Sequence, residues 1–216
     1  MCANYEPIHP DRAYLLHLFE PTFDYKSDLY PGNHGPILIS AEKPIEWRSA
    51  RFGLIPFWAK SLKTIKNTFN ARSETVAQKA SFKHAWKKNQ FALVPVEAIF
   101  EPKYIDGQAH WYGIYRQDEQ PFTLAAIYEY ATVEGEEILS MSMLTINADF
   151  HPLMRQFHKP EDEKRSVVII PETYRMAWLN CDHEQAPEFI LEFPPDEFTA
   201  APKSGLHHYR HHTLEE

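Results

Sequence analysis

Cysteine is nearly missing: Cys2 and Cys181 are the only thiols in 216 residues. That rules out a disulfide framework and fits a reducing compartment. No apolar run is long enough for a membrane-spanning helix. The opening is polar (Asn4, Glu6, His9, Asp11, Arg12) rather than a secretory leader, so a soluble, cytoplasmic protein is expected. Repeats and clean linkers are absent, which predicts one domain over 1–216 with an extended tail over 194–216. Metal-ligand spacing is absent too. The histidines of the tail (His207, His208, His211, His212) have no Cys or carboxylate placed to complete a site, so neither a metal nor a cofactor is expected. Net positive charge is also lacking; the formal charge is −8, which taken whole argues against a nucleic-acid partner.

The charge is unevenly spread. Between Trp58 and Lys88 eight basic residues (Lys60, Lys63, Lys66, Arg72, Lys79, Lys83, Lys87, Lys88) face only Glu74, a net +7 that leaves −15 for the rest of the chain. Such a segment is either a solvated helix face or a local phosphate-binding patch on an acidic protein.

A hydrophobic fraction of 44% and an aromatic fraction of 14% supply a packed core. Residues 10–19 read as a short helix with Tyr14, Leu15 and Leu18 on one side, and 20–36 as an irregular loop. Strands are predicted at 37–40 and 46–52. The strongest helix is predicted over 74–88, with Val76, Ala80 and Phe82/Trp86 inward. Further strands are predicted at 91–96, 99–104, 110–115, 122–130, 138–146 and 166–170, with turns at Asp106-Gly107 and Glu134-Gly135, and a helix over 171–179. Without βαβ alternation this reads as α+β, a largely antiparallel, barrel-like sheet flanked by helices.

Four stretches carry candidate chemistry. Cys2 follows the initiator methionine; if Met1 is removed, the thiol gains a free α-amine neighbour. Such a 1,2-aminothiol can use its amine as base for its own nucleophile, or close on an aldehyde as a thiazolidine, whereas a Cys2 that is an accident of the chain start does neither. Asn70 and Arg72, two apart in an extended stretch, point the same way. Asn suits a sugar or backbone group, and Arg clamps a phosphate, although an Asn near a helix start is also a common cap. Glu101 interrupts the apolar and aromatic run Ile99-Phe100-Glu101-Pro102; inward it needs a partner or moves protons, outward it is an ordinary surface carboxylate. His158, after Phe157, is one of twelve histidines that could act as acid or base.

In order along the chain stand Met1-Cys2, Gly53-Leu54-Ile55-Pro56-x-Trp58, Asn70-Ala71-Arg72-x-Glu74-Thr75, Phe82-x-x-x-Trp86, Phe100-Glu101, Thr145 before Asn147-Ala148, and His158 followed by Arg165 and an apolar strand. Together they resemble the SOS response-associated peptidase (SRAP) family, the abasic-site processing proteins. The resemblance runs from residue 2 to about 170. It implies a Schiff base between the Cys2 amine and the aldehyde of an abasic site in single-stranded DNA, closed by the thiol to a thiazolidine crosslink. It also implies exposure of Cys2 by autoproteolysis or methionine removal, peptidase and lyase-like activity, no membrane and no obligate protein partner. Carried over by position, Cys2, Asn70, Glu101 and His158 would be catalytic, and Arg72, Thr145, Arg165, Trp58 and Pro31 would contact DNA. Three departures stand out. The pattern Cys-Gly-Arg reads Cys2-Ala3-Asn4, losing a basic residue beside the nucleophile. The Asn-x-x-Pro element reads Asp28-Leu29-Tyr30-Pro31. The stretch from His158 to Arg165 is longer than the family's His-x-Arg. Two other readings remain at this point: an N-terminal-nucleophile cysteine amidohydrolase, and a non-catalytic single-strand binding module indifferent to Cys2.

Overall fold

The computed structural model describes residues 2–40 and 45–204. Its spine is one long strand, β5 (Phe91–Ile105). Alternate residues of its first half face opposite ways: Ala92, Val94 and Val96 enter one apolar cluster, Phe91 and Leu93 another. That is the period-two pattern of a strand buried on both faces. The two strands expected at 91–96 and 99–104 are therefore one. Pro95, which would break a ladder needing its N–H, pairs with Thr123 and uses its carbonyl to accept from Ile8.

Around β5 stand β2 (His34–Ser40), β3 (Ile45–Phe52), β7 (Phe122–Val133) and β8 (Glu136–Asn147). Pairings β5–β2, β2–β3, β3–β8, β8–β7 and β7–β5 return to their start, so these five strands close a ring. All are antiparallel except β3–β8. The inner cluster draws side chains from all five, including Ile37, Phe52, Val94, Leu124 and Met143. The outer cluster packs Leu38, Leu93, Ile127 and Leu144 under two short helices, α1 (Lys83–Lys87) and α2 (Arg175–Asn180), through Trp86 and Trp178. The result is a single domain, mostly sheet, in which the expected antiparallel character holds.

The remaining strands decorate the ring. β1 (Asn4–Pro7) and β6 (Gln108–Arg116) both pair antiparallel with β5, and β4 (Asn70–Arg72) runs parallel to β8. β9 (Arg165–Val167) lies on β8 and β10 (Ile169–Ile170) on β7, dividing the single strand expected at 166–170. Both predicted hairpin turns form. Asp106 and Gly107 have φ of 50° and 76°, and Glu134 and Gly135 have 55° and 89°, the left-handed pairs that match strand twist.

Three helical expectations and the tail need correction. Residues 73–82 are successive turns, and only Lys83–Lys87 is α-helical. Val76, Phe82 and Trp86 are buried as expected, but Ala80 is exposed; packing of the three larger side chains outweighs a continuous ladder. The first helix is 3-10 over Pro10–Leu16, so Ala13 and Leu16, three apart, face inward and Tyr14 faces solvent. The predicted 171–179 helix begins as a 3-10 turn (Glu172–Tyr174) before α2. Finally, the extended tail predicted from residue 194 is structured at first. β11 (Phe198–Pro202) pairs with β6, and Phe198 is buried with its ring centroid 5.2 Å from Phe122 and 4.5 Å from Phe193. The run His207 to His212 lies outside the described residues.

Candidate active site around Cys2

β1 positions the chain start. Asn4 sits opposite Phe100, so following the antiparallel register two residues back carries Cys2 to the Glu101 region of β5. Cys2 is 1% exposed. Its thiol donates to the Asn4 carbonyl at 3.3 Å. Burial, then the negative charge of Glu101, push the thiol far above its ordinary pKa. The sulfur is thus held as a neutral thiol.

Asn70 reaches the same point from β4. Its Nδ2 donates to the Cys2 carbonyl oxygen at 2.9 Å, while its Oδ1 is buried with no hydrogen-bond partner among the described residues. An acceptor aimed into a protein interior without a donor is costly, which marks it as reserved for something. Glu101 points inward, 2% exposed, and its Oε2 lies 2.9 Å from His158 Nε2, itself on a residue 8% exposed. His158 takes a positive φ of 63° and donates its backbone N–H to the Pro102 carbonyl at 2.7 Å. Cys2, Asn70, Glu101 and His158, far apart in sequence, are thus brought together.

Two residues further along β4 a layer of charge begins. The Arg72 Nη1 lies 2.7 Å from Glu163 Oε2. Arg165, 2% exposed, meets Glu74 at 2.7 and 2.9 Å and Glu163 at 2.9 Å. It also donates to the carbonyl and hydroxyl of buried Thr145 at 2.8 and 3.1 Å. Asn147 Nδ2 donates to Glu163 Oε1 at 3.1 Å. The hydrogen bond from Asn147 holds the Glu163 carboxyl below its usual range, with Arg165 and Arg72 adding to it. Arg165 lowers Glu74 in the same way, against the opposing effect of burial. Thr145 and Arg165 thus lie buried under this layer, whereas Arg72, Glu74 and Glu163 are exposed. Trp58, 50% exposed, and exposed Pro31 lie in turns outside the strands.

Sequence reasoning gave no role to Glu74, Asn147 or Glu163. The first two stand inside the quoted motifs, but Glu163 sits in a charged spacer where nothing distinguishes it from Glu161. It also missed Lys203, which follows β11. The Lys203 Nζ lies 2.6 Å from Asn4 Oδ1, 2.9 Å from Asp28 Oδ2 and 4.1 Å from the Phe100 ring centroid. A cation therefore stands at the position where Asn4 removed one from the motif. Among the described residues, no group of three or more His, Cys, Asp or Glu side chains could hold a metal ion, and no helix is long and apolar enough to cross a membrane.

The sequence profile of the SOS response associated peptidase (SRAP) family matches residues 2–205. The chain belongs to this family. An X-ray structure of a protein from Bordetella bronchiseptica superposes with a TM-score of 0.88 at 33% identity, covering 93% of this chain and 99% of that one. A Bacteroides thetaiotaomicron structure at 20% identity and TM-score 0.76 shares the fold, covering 93% of this chain and 91% of that chain. Among its relatives, the abasic site processing protein YobE of Bacillus subtilis is 29% identical over 161 residues, 72% of this chain and 70% of its own. The abasic site processing protein YedK of Escherichia coli is 25% identical over 188 residues, 83% of this chain and 79% of its own.

Proposed function

We propose that this SRAP protein processes abasic sites in single-stranded DNA by capturing them covalently through Cys2. Hydrolysis of the Met1–Cys2 peptide bond, by methionine removal or by the protein itself, frees the α-amine. The amine condenses with the aldehyde of the ring-opened deoxyribose, water leaves, and a C=N bond remains. The Cys2 sulfur then bonds to that carbon, the C=N electron pair moves to nitrogen, and the thiol proton passes by way of Glu101 to the nitrogen. A thiazolidine results. The same Schiff base is an electron sink for β-elimination, which accounts for lyase-like chemistry.

The observation that carries this reading is the convergence of Asn70, Glu101 and His158 on the second residue of the chain. Asn70 pins the Cys2 carbonyl at 2.9 Å and keeps Oδ1 available for an N–H of the freed amine. A neutral thiol needs a base at the moment of attack. Glu101 is that base, with His158 2.9 Å away fixing its carboxylate and relaying its proton. Arg72, about 7 Å along β4 from Asn70 at strand rise, suits the neighbouring phosphate. Exposed Trp58 offers a base-stacking face and Pro31 a wedge. Thr145 and Arg165 are buried, so their part is to support the strand end beneath Arg72: Thr145 anchors Arg165, and Arg165 holds Glu74.

The test is a denaturing gel of single-stranded DNA with one abasic site, run against protein whose free N-terminal Cys2 is verified by mass spectrometry. A heat-stable shifted band is expected, lost with Cys2→Ala and formed about 100-fold or more slowly with Glu101→Gln. No band from verified wild type would overturn covalent capture.

A further inference from the structure

Arg72 is already occupied. Its guanidinium holds Glu163 at 2.7 Å, and the other oxygen of the same carboxylate accepts from Arg165 at 2.9 Å and Asn147 at 3.1 Å. Two guanidinium groups and an amide converging on two anionic oxygens form the kind of donor set that binds a phosphodiester. Glu163 reaches this set because of the segment between His158 and Arg165. Residues 159–164 form a loop, fixed where the Lys164 side chain donates to the Lys159 carbonyl and its backbone N–H to Asp149 at 2.8 Å. The loop is acidic at Glu161, Asp162 and Glu163, and among the described residues only Glu163 of these three pairs with the arginines.

We propose that Glu163 is a built-in competitor of DNA: a carboxylate that occupies the Arg72 phosphate site and must be displaced before a DNA backbone phosphate binds there. The proposal rests on the DNA reading above and adds a residue that sets affinity and salt response. Displacement is feasible at one end only. Arg165 keeps Glu74 and Thr145 when Glu163 leaves, so the buried cation stays paired while Arg72, on the exposed rim, is released. The loop acts as a threshold. A phosphate presented beside a sugar already engaged at Cys2 competes with Glu163 at high effective concentration, whereas passing undamaged strand must compete for Arg72 from solution.

The experiment measures binding by fluorescence anisotropy to a single-stranded oligonucleotide carrying one tetrahydrofuran abasic analogue, which has no aldehyde and cannot crosslink. Wild type is compared with Glu163→Gln, Glu161→Gln, Arg72→Gln and the Arg72→Gln/Glu163→Gln double variant, from 50 to 200 mM salt. Glu163→Gln is expected to bind several-fold tighter, with a salt slope steeper by about 0.7, the release from one more phosphate contact on a single strand. Glu161→Gln removes equal charge from the same loop and should change binding far less. The gain should vanish in the double variant, because it acts through Arg72. Equal gains from Glu161→Gln and Glu163→Gln would reduce the effect to net charge and overturn the proposal. So would weaker binding, a gain that survives without Arg72, or failure of Glu163→Gln to fold, since each makes Glu163 a structural partner of the arginines. Covalent capture of aldehyde-bearing DNA by wild type is scored separately, so failure of the DNA reading and failure of the competitor are distinguishable.

Discussion

The scale of single residues is where burial decides chemistry. Cys2 and Cys181 are both buried, and both thiols are raised from 9.0, Cys181 to about 11 by burial and then Asp182, and Cys2 further. An acid raised in the native state keeps a proton that the unfolded chain releases. Stability from this source is therefore complete below about pH 9 and is lost as pH rises, each thiol steepening the fall by up to about 1.4 kcal/mol per pH unit. Urea unfolding followed between pH 8 and 10 should show that decline, and a Cys2→Ala/Cys181→Ala variant should be flatter over the same range. A decline of unchanged steepness would show that neither thiol is held protonated. The raised Tyr5 adds to the loss at higher pH, so the comparison belongs below 10. At this scale the sequence was informative about identity and silent about pairing. Cys2, Asn70, Glu101 and His158 are readable because the motifs name them. The Glu163–Arg72 contact is not, because it depends on a loop path and any of three adjacent acids could have made it.

Elements were legible where one periodicity was sufficient. The strands of the ring were legible as apolar runs, buried on both faces, and both left-handed turns were signalled by a residue pair ending in glycine. The lysine-rich stretch failed because a helical pattern of Val76, Phe82 and Trp86 is satisfied as well by turns leading into a five-residue helix, once a sheet is there to cover them. The covering itself makes a prediction. Trp178 of α2 is fully buried over β5 and donates its indole N–H to the Ala92 carbonyl at 2.9 Å. Trp178→Phe should cost about 1–3 kcal/mol, from lost contact area and an unsatisfied carbonyl. Trp58→Phe, at a half-exposed site, should stay within about 0.5 kcal/mol. Chemical denaturation of the two variants checks the contrast, and equal costs would mean that α2 does not close the outer core. Gly107→Ala at φ 76° tests the hairpin in the same assay, with an expected loss of about 1 kcal/mol and no effect on binding.

The whole molecule divides its charge. A +7 stretch from Trp58 to Lys88 is set in a chain that is otherwise −15, and β4, with Asn70 and Arg72, lies within that stretch. Lys60, Lys63 and Lys66 are exposed beside Trp58, on the approach to β4. On the proposed DNA reading, an acidic body set against this stretch keeps non-specific affinity low and orients the strand as it approaches. The basic stretch was legible as composition, but a role in binding was not, because a solvated surface face has the same sequence. Replacing Lys60, Lys63 and Lys66 by Gln discriminates the two. If the strand runs along this segment, three phosphate contacts are lost and the slope of log affinity against log salt should flatten by about 2 for single-stranded DNA. A preference for abasic over intact strand should be unaffected, since the proposed capture assigns that discrimination to the aldehyde at Cys2. An unchanged slope would move the DNA path off the lysines and leave Arg72 as its main cationic contact.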